Sequence, residues 1–176
     1  MFLDYLTSDE RFAKAAGVLR RGSSLYAPGF YAPYVLAALI RATEAPGWLV
    51  VVPDAEQAVR LADELAVYLE RTVETLPARG VLYGADVAPA AHVLGQRQRA
   101  LAALEEGGVV VADAVALLER FIPLALQPPP LALAKGAELA FDSVLAGLAS
   151  LGYERAEQVR ERGEFAVRGG IVDVYP

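Results

Sequence analysis

The chain has 176 residues, 55% of them hydrophobic, which is enough apolar material for one sizeable core and a small second unit. Sixteen Lys and Arg against 22 Asp and Glu leave a formal charge of −6, which argues against a broad phosphate-binding surface and favours a protein partner. The absence of cysteine excludes disulfides, thiol nucleophiles and thiolate metal sites. No apolar run reaches a membrane span and no signal-peptide order opens the chain, so a cytoplasmic protein without a targeting segment is expected.

The first stretch, Met1 to Arg21, reads as a helix, with capping-box spacing at Thr7 and Glu10 and apolar residues at Phe12, Ala16 and Leu19. Gly22 stops it. Ser24 to Ala27 is a short strand candidate, and after Pro28-Gly29 a helix is expected from about Phe30 to Thr43. Trp48 to Val52 is a continuous apolar run, as in a strand buried on both faces. Asp54, with Gln57 three residues on, caps a helix through Leu61, Leu65 and Leu69 to about Arg71. Weaker extended segments follow at Val73 to Leu76 and Val81-Leu82. A helix from Ala90 to Glu106 ends at Gly107-Gly108, a strand runs from Val109 to Ala112, and Asp113 caps a helix to about Phe121. Strands alternating with helices predict a parallel, doubly wound sheet. Gln127-Pro128-Pro129-Pro130 cannot continue a helix, so a boundary is expected there, with domains at 1–127 and 128–176. Beyond it, a helix near Phe141 to Leu151 is closed by Gly152 and a hairpin follows, an α+β pattern.

A strand, a turn with Pro and Gly, and a helix are also where a RecA-like ATPase keeps its phosphate loop. Such a loop needs free backbone N–H groups, a Lys for the phosphates and a Ser or Thr for magnesium. Pro28 and Pro33 each remove a donor, Phe30 and Tyr31 are bulky, and no Lys occurs between residues 15 and 134. No cofactor is therefore expected. Asp113 stands where a metal-binding acid could follow a buried strand, but helix capping accounts for it. Asp63-Glu64 reads as part of a solvated helix face. His92, the sole histidine, has no readable catalytic company. Gln96, Arg97, Gln98 and Arg99 form a polar helical segment expected to be solvated, though able to touch a phosphate.

The stretch Gly163-Glu-Phe-Ala-Val-Arg-Gly-Gly-Ile-Val-Asp-Val-Tyr-Pro176 carries a hairpin signal: Phe165 and Val167 alternate, Gly169-Gly170 permits a tight turn, and Ile171, Val172 and Val174 resume the strand. Arg168 is a permanent cation just before the turn. This wording resembles the insertion domain of the UvrB-like module, found in the excision-repair protein UvrB and in the transcription-repair coupling factors (Mfd). The resemblance extends by pattern over nearly the whole chain, with the turn after Leu25-Tyr26 standing where UvrB carries its ATP loop. Loss of that loop, together with Gly152-Tyr153, Val159 and Gly163-Glu164-Phe165, makes the chain look like the N-terminal module of Mfd.

The resemblance implies a degenerate RecA-like parallel sheet flanked by helices, followed by part of a small α+β insertion domain. It implies a non-catalytic module that recruits UvrA, with Arg168 matching the arginine of the family's UvrA-binding surface. RNA polymerase, DNA and the ATP-driven translocase would belong to parts missing from these residues, so a fragment is expected. Two other readings stay open: a UvrB-type ATPase fragment with ATP near Gly29, and direct DNA binding through Arg97, Arg99 and Arg168.

Overall fold

A computed structural model describes residues 6, 8–26, 32–43, 45–82, 84, 89–122 and 126–176. The chain divides into two compact units, one of residues 1–87 and 96–119, the other of residues 88–95 and 120–176.

In the first unit, helix α1 (Glu10–Arg20) is capped by Asp9, whose Oδ1 accepts the N–H of Arg11 at 2.8 Å and of Phe12 at 3.1 Å. Asp9 therefore fills the capping role expected of Thr7, which lies outside the described residues; an oxygen one residue before the helix is within reach of its free amides. Gly22 follows with φ 67. Of the expected strand Ser24–Ala27, residues 24–26 form no strand, pair with no described residue and are exposed, Tyr26 at 91%, while Ala27 lies outside the described residues. Helix α2 (Pro33–Thr43) opens on Pro33, where a missing N–H costs nothing. Strand β1 (Trp48–Val52) leads to α3 (Ala55–Leu69), whose cap Asp54 accepts the Gln57 N–H at 2.9 Å and its side-chain amide at 2.7 Å. Strand β2 (Glu74–Leu76), helix α4 (Ala91–Glu105, of which residues 96–105 belong to this unit), strand β3 (Val109–Asp113) and helix α5 (Ala114–Leu118) follow. The expected Val81-Leu82 extension pairs with no described residue, and α5 stops at Leu118 rather than near Phe121.

All pairing in this sheet is parallel, in the order β1-β3-β2. Central β3 is buried along its whole length because helices cover both of its faces. Val109 and Val111 pack with Phe12, Ile40 and Leu65 from α1, α2 and α3. Val110 and Ala112 pack with Leu76, Ala100 and Ala116. Strand β1 departs from expectation, with Leu49 41% and Val51 50% exposed, since only one of its faces meets the helices. Gly108 lets α4 run directly into β3: a Cβ there would stand 2.6 Å from the Ala103 carbonyl oxygen.

In the second unit, helix α6 (Phe141–Ser150) ends at Gly152, φ 85, with the Tyr153 N–H closing onto the Leu148 carbonyl at 3.1 Å. A three-stranded sheet follows in the order β4-β5-β6, from β4 (Glu154–Ala156), β5 (Glu164–Arg168) and β6 (Ile171–Tyr175). Its first pair is parallel and its second antiparallel. Among the described residues no helix is long and apolar enough to cross a membrane.

Candidate partner-binding hairpin

The entry to β5 is fixed by its own first residue. Glu164 Oε2 accepts the N–H groups of Arg160 at 2.8 Å and Glu161 at 2.9 Å, and these bonds hold its carboxyl below the usual carboxylate range. Gly163, φ 88, donates to the Tyr175 carbonyl at 2.7 Å and accepts from Glu154 at 2.8 Å, so one glycine joins all three strands. Strand β4 itself was not anticipated: Glu-Arg-Ala carries no β-branched or aromatic signal, and only its pairing with β5 makes it a strand.

The register pairs Phe165 with Val174, Val167 with Val172, Ala166 with Asp173, and Arg168 with Ile171 across a two-residue turn. Gly169, φ 59, supplies the left-handed residue this turn needs. Opposed residues share a face. One face therefore carries Phe165, Val167, Val172 and Val174, and the other carries Glu164, Ala166, Arg168, Ile171, Asp173 and Tyr175. Phe165 and Ala166 are buried, whereas Arg168, Ile171, Asp173 and Tyr175 are exposed. At the Tyr175 end of this second face, the Arg162 guanidinium lies 5.3 Å from the Tyr175 ring centroid and donates to the Pro176 carbonyl at 3.2 Å. Arg168 makes no ion pair or side-chain hydrogen bond with any described residue.

The other candidates separate. Arg97, expected on a solvated face, is 6% exposed, which is a correction. It donates to the Pro77 carbonyl at 2.6 Å and pairs with Glu119 at 2.8 Å. Burial lowers its pKa, with Glu119 pulling the other way. Arg99, two residues on, is exposed and 3.8 Å from Glu74. A phosphate-binding row made of Arg97 and Arg99 is thus not present. Asp113, 3% exposed, accepts the Ala116 N–H at 2.9 Å with one oxygen and the Ala78 N–H at 3.0 Å with the other. It caps α5, as expected, and also ties the loop after β2 to the sheet. His92 is exposed in the first turn of α4, and Asp63 and Glu64 are exposed on α3. Residues 28–31 of the phosphate-loop position, including Gly29, lie outside the described residues. Sequence reasoning missed Arg79 and Glu119, whose Oε1 accepts the Arg79 N–H at 2.9 Å, because no local signal links residues forty apart.

The UvrB interaction domain family matches residues 131–176, which contain the whole hairpin. The transcription-repair-coupling factor of Mycobacterium tuberculosis is 37% identical over 136 residues, covering 72% of this chain and 11% of its own length. That of Haemophilus influenzae is 33% identical over 131 residues, 73% of this chain and 11% of its own length. That of Myxococcus xanthus is 33% identical over 178 residues, 93% of this chain and 15% of its own length.

Proposed function

Because this chain belongs to the transcription-repair-coupling factor family, as a UvrB-like module spanning 11–15% of the length of these relatives, we propose that it is a non-catalytic recognition unit that binds UvrA through the β5–β6 hairpin. The observation that carries this reading is Arg168: an exposed guanidinium with no partner among the described residues, beside a tight turn, inside the matched segment. A guanidinium so placed offers forked, charge-assisted hydrogen bonds to carboxylate or carbonyl groups of a partner.

Two features support a non-catalytic role. The phosphate-loop position carries two prolines and no lysine, and both carboxylate oxygens of Asp113 are engaged by backbone amides. In this reading residues 1–127 are the degenerate RecA-like part and 128–176 part of the UvrA-binding part of a cytoplasmic repair factor. Contacts with RNA polymerase and DNA, and ATP-driven translocation, belong to other segments of the family's longer proteins. Direct DNA binding is disfavoured, because Arg97 is buried and the net charge is −6.

Calorimetric titration with UvrA tests the proposal. Arg168→Ala is expected to weaken binding by roughly tenfold, about 1.4 kcal/mol, while leaving the melting temperature unchanged. An unchanged affinity would remove Arg168 from the interface.

A further inference from the structure

The hairpin presents opposite charges that ignore one another. Asp173 faces Ala166, two residues from Arg168 on the same strand, so Arg168 and Asp173 are diagonal neighbours on one face. Diagonal neighbours in an antiparallel pair stand about 7–8 Å apart, within the reach of an arginine. Yet neither Arg168 nor Asp173 forms an ion pair or side-chain hydrogen bond with any described residue. Ile171, the cross-strand partner of Arg168, lies two residues from Asp173 and is 66% exposed.

Burial does not account for these choices. Aspartate is among the residues depleted in strands, because its short polar side chain adds little packing and competes for backbone amides. A β-branched aliphatic left largely in water beside a turn contributes little burial. A lone exposed Ile is unremarkable. An exposed Ile flanked on one face by a partnerless cation and a partnerless anion has the composition of a contact surface, an apolar anchor between charged positions.

We infer that Arg168, Ile171 and Asp173 form one composite contact, which recognises a protein surface bearing an acceptor or acid, a small apolar spot and a cation or N–H donor in that order. This rests on the proposed UvrA-binding role of the hairpin and adds the chemistry of the partner patch. A nucleic acid fits poorly: its phosphates would meet Arg168 but be repelled by Asp173. Asp173 serves as the sign-selective element, since a uniformly acidic surface that attracts Arg168 is rejected beside it.

The test is calorimetry of UvrA with Asp173→Asn and Ile171→Thr, the latter keeping β-branching so that the strand persists; melting curves confirm that each variant folds. Each is expected to bind roughly tenfold more weakly. The Asp173 loss should fade at high salt while the Ile171 loss persists. Unchanged affinity in either variant overturns the inference, as does tighter binding by Asp173→Asn. If Asp173→Asn leaves binding intact but promotes self-association, the acid only guards the edge strand, which also refutes it. Arg168→Ala reports separately: weakening there, with both other variants unaffected, leaves the proposed function standing and removes the composite contact. If the unaltered protein does not bind UvrA, both fail together.

Discussion

Two arginines on one helix show how far burial outweighs residue type. Arg97 and Arg99 are two positions apart, which on an α-helix puts them on nearly opposite sides. Arg97 is 6% exposed, whereas the Arg99 side chain is 60% exposed. Arg97 holds the Pro77 carbonyl and Glu119, Glu119 in turn holds the Arg79 N–H, and Asp113 holds the Ala78 N–H, so residues 77–79 are pinned at three successive positions. Removing Arg97 takes away the bond to the Pro77 carbonyl and leaves Glu119 with the Arg79 guanidinium, 3.6 Å away, as its remaining cation. Arg97→Ala is therefore expected to cost on the order of 2–4 kcal/mol in urea unfolding. Arg99→Ala, which breaks an exposed pair, should cost no more than about 1 kcal/mol. Equal losses at the two positions would contradict the burial of Arg97. Arg97 stays protonated at neutral pH despite its lowered pKa, because a guanidinium titrates far above that range.

At the scale of elements, the same backbone conformation is held by suitable and unsuitable residues. Gly169 turns the β5–β6 hairpin at φ 59 with nothing near its missing side chain, so only the backbone demands glycine. Glu70 ends α3 at φ 54, a left-handed cap where an L side chain is strained. Glu70→Gly should relieve about 1–2 kcal/mol of that strain, less about 0.4–1 kcal/mol for the added freedom of the unfolded chain. A net gain of roughly 0.5–1 kcal/mol in thermal unfolding is expected. Gly169→Ala should move the other way by a similar net amount, the strain at φ 59 outweighing the reduced freedom of the unfolded chain. A drop in stability for Glu70→Gly would show that its side chain contributes more than the conformation costs. These turns were legible in the sequence as Gly22, Gly152 and Gly169-Gly170; Glu70 was not, because nothing in its residue type announces a left-handed angle.

For the whole molecule, acid is the lever. The carboxyls of Asp9, Asp54 and Glu164 are held below the usual range, each chiefly by backbone N–H donors at the start of an element. A depressed folded-state pKa gives stability that is fully present above the ordinary carboxylate pKa and lost as pH falls through the folded value. The melting temperature should therefore hold from neutrality down to the ordinary carboxylate range and fall below it. Asp54→Asn, which keeps a capping oxygen without the titration, should make that fall shallower. An unchanged acid slope in this variant would exclude Asp54 from the linkage. The sequence by itself determined what depends on neighbours in the chain: the caps at Asp54 and Asp113, the glycine stops, the α/β alternation and the hairpin bearing Arg168. Capping and turn chemistry act over two to four residues, so local order is enough to reveal them. Only the tertiary structure decided that Arg97 is buried, that β1 leaves Leu49 and Val51 open, that Glu154–Ala156 is a strand, and that Ile171 and Asp173 share a face with Arg168. The first three depend on contacts between residues far apart in sequence, and the last on the register that a two-residue turn imposes.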